Sequence, residues 1–159
     1  MNDLVEIKEG IHRNIQIIDG RVEDLDLLPR DLGMPSGANA GVGEDFGIKM
    51  GQLEFVYDEI KEEMEAGKSR LRLIRGSNRD IDGFAVVTPG DDLNVIKMVW
   101  VKPDLRRKGL GEDLIRDAIE IAPSEKVLAY IWGGEPAIKL ANKMGFTQEN
   151  GDRFVYRKP

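Results

Sequence analysis

Residues 94–112 read NVIKMVWVKPDLRRKGLGE, and the order of their parts decides the fold. Val95, Ile96, Met98, Val99, Trp100 and Val101 form an apolar run rich in β-branched and aromatic side chains. That is the pattern of a strand buried on both faces. Pro103 closes it, since proline has no N–H to give a ladder. Arg106, Arg107 and Lys108 follow, then Gly109-Leu110-Gly111. Beyond them Leu110, Leu114, Ile115, Ala118, Ile119 and Ala122 recur on one helical face. A strand, a basic glycine loop and a helix, in that order, make an anion site. The first N–H groups of a helix lack intrahelical partners and carry partial positive charge. Glycines let a phosphate approach those groups, and the three cations add attraction.

The loop is not a Walker A motif, because GxxxxGK[ST] is absent. It is not a full dinucleotide fingerprint either, because Leu114 stands where the last glycine is needed. It does match Arg-x-x-Gly-x-Gly, through Arg106, Gly109 and Gly111, preceded by Val-x-Pro, through Val101 and Pro103. This resembles the coenzyme A loop of the GNAT superfamily of N-acetyltransferases. A second stretch, Ala137-x-x-Leu140-x-x-Lys143-x-Gly145-Phe146, is similar to that family's final helix, which ends in Gly-Phe. The resemblance covers residues 13–157 and leaves residues 1–12 outside as an extension of unknown role. The loop also has a plainer reading, as a glycine-capped turn with solvated arginines.

Composition bounds the rest. A chain of 159 residues suggests one domain, 13–159, with a sizeable core. No cysteine is present, so disulfides, thiolate metal sites and a cysteine nucleophile are excluded. One histidine, His12, cannot make a multi-histidine metal centre, and no metal is expected. The acidic start MNDLVEIKEG is unlike a signal peptide, and no apolar run is long enough for a membrane helix. A cytoplasmic protein without a membrane partner is expected. Net charge is −6, but unevenly spread. Residues 93–159 hold 12 basic and 9 acidic side chains, whereas residues 1–92 hold 11 and 20. A basic half suits a polyanionic cofactor and an acidic half a cationic acceptor. A solvated acidic surface accounts for the same asymmetry. The acidic total argues against nucleic acid as a partner.

Taken in order, Arg13–Ile18 reads as a first strand ended by Asp19-Gly20. Val22, Leu25, Leu28 and Leu32 keep helical spacing, but Pro29 makes that helix short. Residues 33–47 hold five glycines and form a long loop, either a mobile wall of an acceptor site or plain surface. Leu53, Val56, Ile60 and Met64 give a helical face with Glu54, Asp58, Glu62 and Glu63 outside it, and Gly67 stops the helix. Arg70–Arg75 and Ile81–Thr88 alternate as strands. Val127–Trp132 is another strand, and Phe146–Arg157 a hairpin with Asn150-Gly151 as a type I′ turn. The expected class is α+β: a mixed, mostly antiparallel sheet flanked by helices, ending in a β-hairpin. That is the order of the GNAT fold.

The resemblance implies a site. Acetyl-coenzyme A, as cosubstrate, would lie where the central strand parts from the next one. The backbone of Val99 and Val101 would pair with the pantetheine amides. The N–H groups of Arg107, Lys108, Gly109, Leu110, Gly111 and Glu112 would hold the pyrophosphate, with Arg106 bracing the loop. The acceptor would be an amine-bearing small molecule or protein, and a homodimer is compatible with the family. The family's usual catalytic side chains are missing: its tyrosine falls on Ala141, its asparagine on Gly134 and its glutamate on Ala129. The catalytic residues are therefore unknown, with Tyr130, Tyr156, Asp91 and Asp92 as weak candidates. Two readings stay open, an N-acetyltransferase and a non-catalytic GNAT-like binding or structural module.

Overall fold

The computed structural model describes residues 16–28, 53–76, 80–105, 108–130, 135–151 and 153–159. The extension 1–12, the loop 33–47, Arg106, Arg107, Trp132 and Gly134 lie outside these residues. The elements run β1 (Ile17–Asp19), a 3-10 helix (Val22–Leu27), α1 (Leu53–Glu65), β2 (Arg70–Arg75), β3 (Ile81–Thr88) and β4 (Asn94–Val101). A short 3-10 turn (Pro103–Leu105) leads to α2 (Leu110–Ile121), β5 (Lys126–Tyr130), α3 (Glu135–Lys143), β6 (Thr147–Asn150) and β7 (Arg153–Arg157). The seven strands form one sheet in the order β1-β2-β3-β4-β5-β7-β6. Only β4 and β5 pair in parallel among the described residues. Among those residues no helix is long and apolar enough to cross a membrane.

Alternation divides the core between the two faces of the sheet. Leu71, Leu73, Phe84, Val86 and Met98 meet Ile60 of α1 and Leu25 of the 3-10 helix on one face. Val87, Ile96, Val127, Ala129 and Phe154 meet Ile115 and Ala118 of α2 and Ala141 of α3 on the other. Near the end of β4, Ala85 and Val101 continue that second face under Leu110 and Leu114. The helix α2 covers the sheet with the stripe its spacing predicts, through Leu110, Leu114, Ile115 and Ala118.

Three details differ from the sequence reading. The strand expected over Arg13–Ile18 runs Ile17–Asp19 in its described part. Asp19 belongs to that strand rather than to a turn, because Arg70 and Arg72 of β2 hold its carboxylate at 2.9 and 2.8 Å. In the last hairpin Asn150 pairs with Arg153, so Asn150 belongs to the ladder instead of an Asn150-Gly151 turn. An irregularity between Gln148 and Asn150 shifts the register by the missing residue. Finally, β4 is not buried on both faces throughout. Val95, Lys97, Val99 and Trp100 are only half-buried. Of these, Val95 still pairs with β5, whereas Lys97, Val99 and Trp100 lie past the last β4–β5 pair among the described residues.

Candidate active site at the parting of β4 and β5

The parallel pairing of β4 with β5 stops early. Asn94, Val95 and Ile96 face Val127, Leu128 and Ala129, and no pair follows among the described residues. From Met98 to Val101 β4 stays paired with β3, while Ala129 and Tyr130 of β5 stay with β7. The two strands thus diverge into a V that opens toward the start of α2. Backbone direction on the open arm follows from one bond. Lys102 N donates to Asp82 O of β3 at 2.8 Å. N–H and C=O groups alternate sides along a strand. Those of Val99 and Val101 are therefore directed away from β3, toward the V.

A bulge sits at the point of divergence. Val86 faces Met98 and Val87 faces Ile96, so Lys97 is the extra residue. Its consequence is a change of side-chain phase. Ile96 and Val99 share the face covered by α2, whereas Met98 lies in the core under α1. Lys97 also turns to the α1 face, where its ammonium meets Glu63.

The mouth of the V is the start of α2. Gly109 is the residue before the helix, at φ 92° in the left-handed region. A side chain there is strained, so glycine fits the turn. Gly111 packs over the end of β4, its Cα facing Val101 and Leu140 of α3. Lys108 is exposed beside them. Glu112, which by charge would oppose an anion at this helix end, is engaged elsewhere. Its carboxylate accepts from Arg116 at 2.7 Å and from Lys143 of α3 at 3.1 Å. Those two bonds hold its carboxyl below the usual carboxylate range.

Known proteins share this fold. The model of the acetyltransferase (GNAT) family matches residues 48–146. The chain belongs to the GNAT acetyltransferase family. No curated protein matches it by sequence. Among solved structures, a GNAT acetyltransferase from Staphylococcus aureus superposes with a TM-score of 0.66 at 13% identity, over 92% of this chain and 100% of that one. The PaiA N-acetyltransferase of Thermoplasma acidophilum, solved with coenzyme A, gives 0.66 at 18% identity over 91% and 98%. A phosphinothricin acetyltransferase from Sinorhizobium meliloti, solved with acetyl-coenzyme A, gives 0.61 at 15% over 89% and 85%.

In this GNAT chain the two faces of the V differ sharply. On the α2 face the described lining is apolar. Ala129 and Ala141 are buried with Ile96, Ile115, Phe146 and Phe154. A phenol at position 141 would have to enter this packing, and overpacking costs about 1–3 kcal/mol. Tyr156 belongs to the same core, its ring centroid 5.4 Å from that of Phe146. Asp91 and Asp92 are exposed in the turn before β4, at the closed end of the V. Trp100 packs on Phe84 in the α1-face core.

The α1 face carries the charge. Lys97 Nζ lies 2.9 and 2.8 Å from the two carboxylate oxygens of Glu63. Ser69 Oγ donates to Glu63 Oε1 at 2.7 Å, and it lies 2.7 Å from Thr88 Oγ1. Burial pushes the Glu63 carboxyl up, but the bonds from Lys97 and Ser69 and the nearby ammonium outweigh it and hold the group below its usual range. Sequence reasoning missed this cluster and set Glu63 on the outer face of its helix. The pair spans 34 positions. The one sequence signal was a lone lysine within an apolar strand.

Proposed function

We propose that this protein is an N-acetyltransferase that moves the acetyl group of acetyl-coenzyme A to a primary amine. One observation carries the reading: β4 leaves β5 after Ile96 while the glycine-capped start of α2 stands at the open end. The V accepts an extended chain, with the backbone of Val99 and Val101 as the edge that pantetheine amides meet. The N–H groups of Lys108, Gly109, Leu110, Gly111 and Glu112 receive the pyrophosphate at the helix end. Arg106 and Arg107, the cations next in sequence, complete that loop. The engagement of Glu112 by Arg116 and Lys143 removes its opposition to a phosphate. Residues 13–159 act as one acyltransferase domain, with residues 1–12 as an extension.

The reaction is direct transfer. The neutral amine attacks the thioester carbonyl, the C–N bond forms, and the C–S bond breaks as coenzyme A leaves as thiolate. The amine gives up its proton to water or a base, and the thiolate regains one from solvent. Apolar side chains at Ala129 and Ala141 deny this site the usual base and acid. General acid–base help is worth about 3–5 kcal/mol, whereas holding the reactants in place supplies about 7–11 kcal/mol. Turnover without those groups is therefore affordable, at a reduced rate.

The same alanines favour a second reading, a GNAT-like domain that binds coenzyme A without chemistry. Calorimetry with acetyl-coenzyme A, followed by thiol release over a panel of primary amines, separates them. The expected result is micromolar binding with amine-dependent thiol release. Binding without release on any amine selects the second reading, and no binding rejects both.

A further inference from the structure

The α1 face of the V holds a charged pair, Lys97 and Glu63, beside the last β4–β5 pair. It is also the face on which polar side chains near the parting keep some exposure. On the α2 face the space beside Ile96 and Ala129 is closed by Ala141, Ile115, Phe146 and Phe154. On the α1 face Lys97 and Glu63 keep side-chain exposures of 17% and 25%. Lys97 is the first β4 residue past the last β4–β5 pair. If the pyrophosphate rests by Val101, an acyl arm running back along β4 covers four residues to reach Lys97. That is roughly 13 Å at the usual strand rise. The acyl carbon thus arrives beside the bulge.

The geometry points to Lys97, oriented by Glu63, as the catalytic residue that binds the acyl oxygen during transfer. This inference rests on the acetyl-coenzyme A reading above. A lysine ammonium has three N–H groups. Two are directed at the carboxylate oxygens of Glu63, and no other partner for Nζ exists among the described residues. The third is available to a ligand. Glu63 is itself fixed by Ser69, which lies against Thr88, so the ammonium is held from α1 and the starts and ends of β2 and β3. A prearranged donor of this kind acts where charge develops. As the amine adds, the carbonyl π pair moves onto oxygen, and Lys97 donates a hydrogen bond to it without giving up its proton. The pair then returns, the C–S bond breaks, and the thiolate leaves. The same face of the same arm carries Trp100 Nε1, buried and without a partner among the described residues.

The test uses the whole chain with carbonyl-13C-labelled acetyl-coenzyme A, whose carbonyl resonance moves downfield when the oxygen accepts a strong hydrogen bond. Parent, Lys97→Met, Lys97→Gln, Lys97→Arg and Glu63→Gln are compared for that resonance, coenzyme A affinity, melting temperature and turnover. The expected result is a downfield shift in the parent, retained in part by Lys97→Arg and lost in Lys97→Met and Lys97→Gln. Their coenzyme A affinity should stay within about twofold and their kcat should fall about a hundredfold, the loss typical of one oxyanion donor. Glu63→Gln should lower kcat less, with KM for acetyl-coenzyme A unchanged. A parental shift and kcat in folded Lys97→Met, or in Lys97→Gln if the first does not fold, overturns the inference while leaving the acetyltransferase reading in place. A parent that binds no coenzyme A removes that reading, and the role of Lys97 with it.

Discussion

Gly109 is the residue on which the anion site turns. At φ 92° it brings the first N–H groups of α2 to the end of β4. Among side chains, Asn and Asp enter the left-handed region most readily. They are nearly the same size and differ in charge. Gly109→Asn and Gly109→Asp should therefore share one backbone cost and separate in ligand binding. In calorimetry, Gly109→Asp is expected to bind coenzyme A at least tenfold more weakly than Gly109→Asn. The gap should narrow as salt rises, because partly exposed charges are screened. Equal affinities for the two would remove the pyrophosphate from this helix end. Gly111 is the contrasting case. A Cβ there would meet Leu140 and Val101 at 3.7 and 3.9 Å, ordinary contact distances.

At the scale of elements, the open arm of β4 is held from both sides. Glu63 of α1 ties Lys97 of β4 and Ser69, next to β2, into one cluster. On the other face, Arg72 of β2 reaches Asp117 of α2 through two bonds of 2.8 and 2.9 Å. The Glu63 cluster has a pH signature. Its folded pKa is lowered, so its stabilisation is present above the unfolded value of about 4.3 and is lost as pH falls through the lower folded value. The parent should melt higher than Glu63→Gln at neutral pH. That difference should shrink only below about pH 4 and vanish in stronger acid. Melting curves from neutral to strongly acid solution check this. A difference that disappears well above pH 5 would mean that the carboxylate is not held as described.

Across the whole molecule, the fold was legible where period and punctuation agreed. Leu110, Leu114 and Ala118 lie on the buried stripe their spacing implies, and Gly67, Gly109 and Gly145 mark helix boundaries at positive φ. The resemblance at Arg106–Gly111 and at Gly145-Phe146 implied a parting of the central strand from the next one. What was not legible depends on pairs distant in sequence. The bulge at Lys97 is a mismatch between two strands, so β4 alone cannot reveal it. Glu63 reads as solvent-facing because helical spacing does not know which strand lies beneath the last turn. Buried Asn94 was passed over for the same reason. Its amide donates to Ser124 O and Lys126 O, joining the start of β4 to that of β5. The V is thus fastened at its closed end.

The central claim is that coenzyme A occupies the parting of β4 and β5. Backbone amide chemical shifts, recorded as coenzyme A is added to the labelled protein, test it most directly. The account predicts large, saturable changes at Val99, Val101 and Lys108 through Glu112. It predicts little change at the edge strands, Ile17–Asp19 and Thr147–Asn150. Saturable binding whose changes spare Val99 and the start of α2 would contradict it.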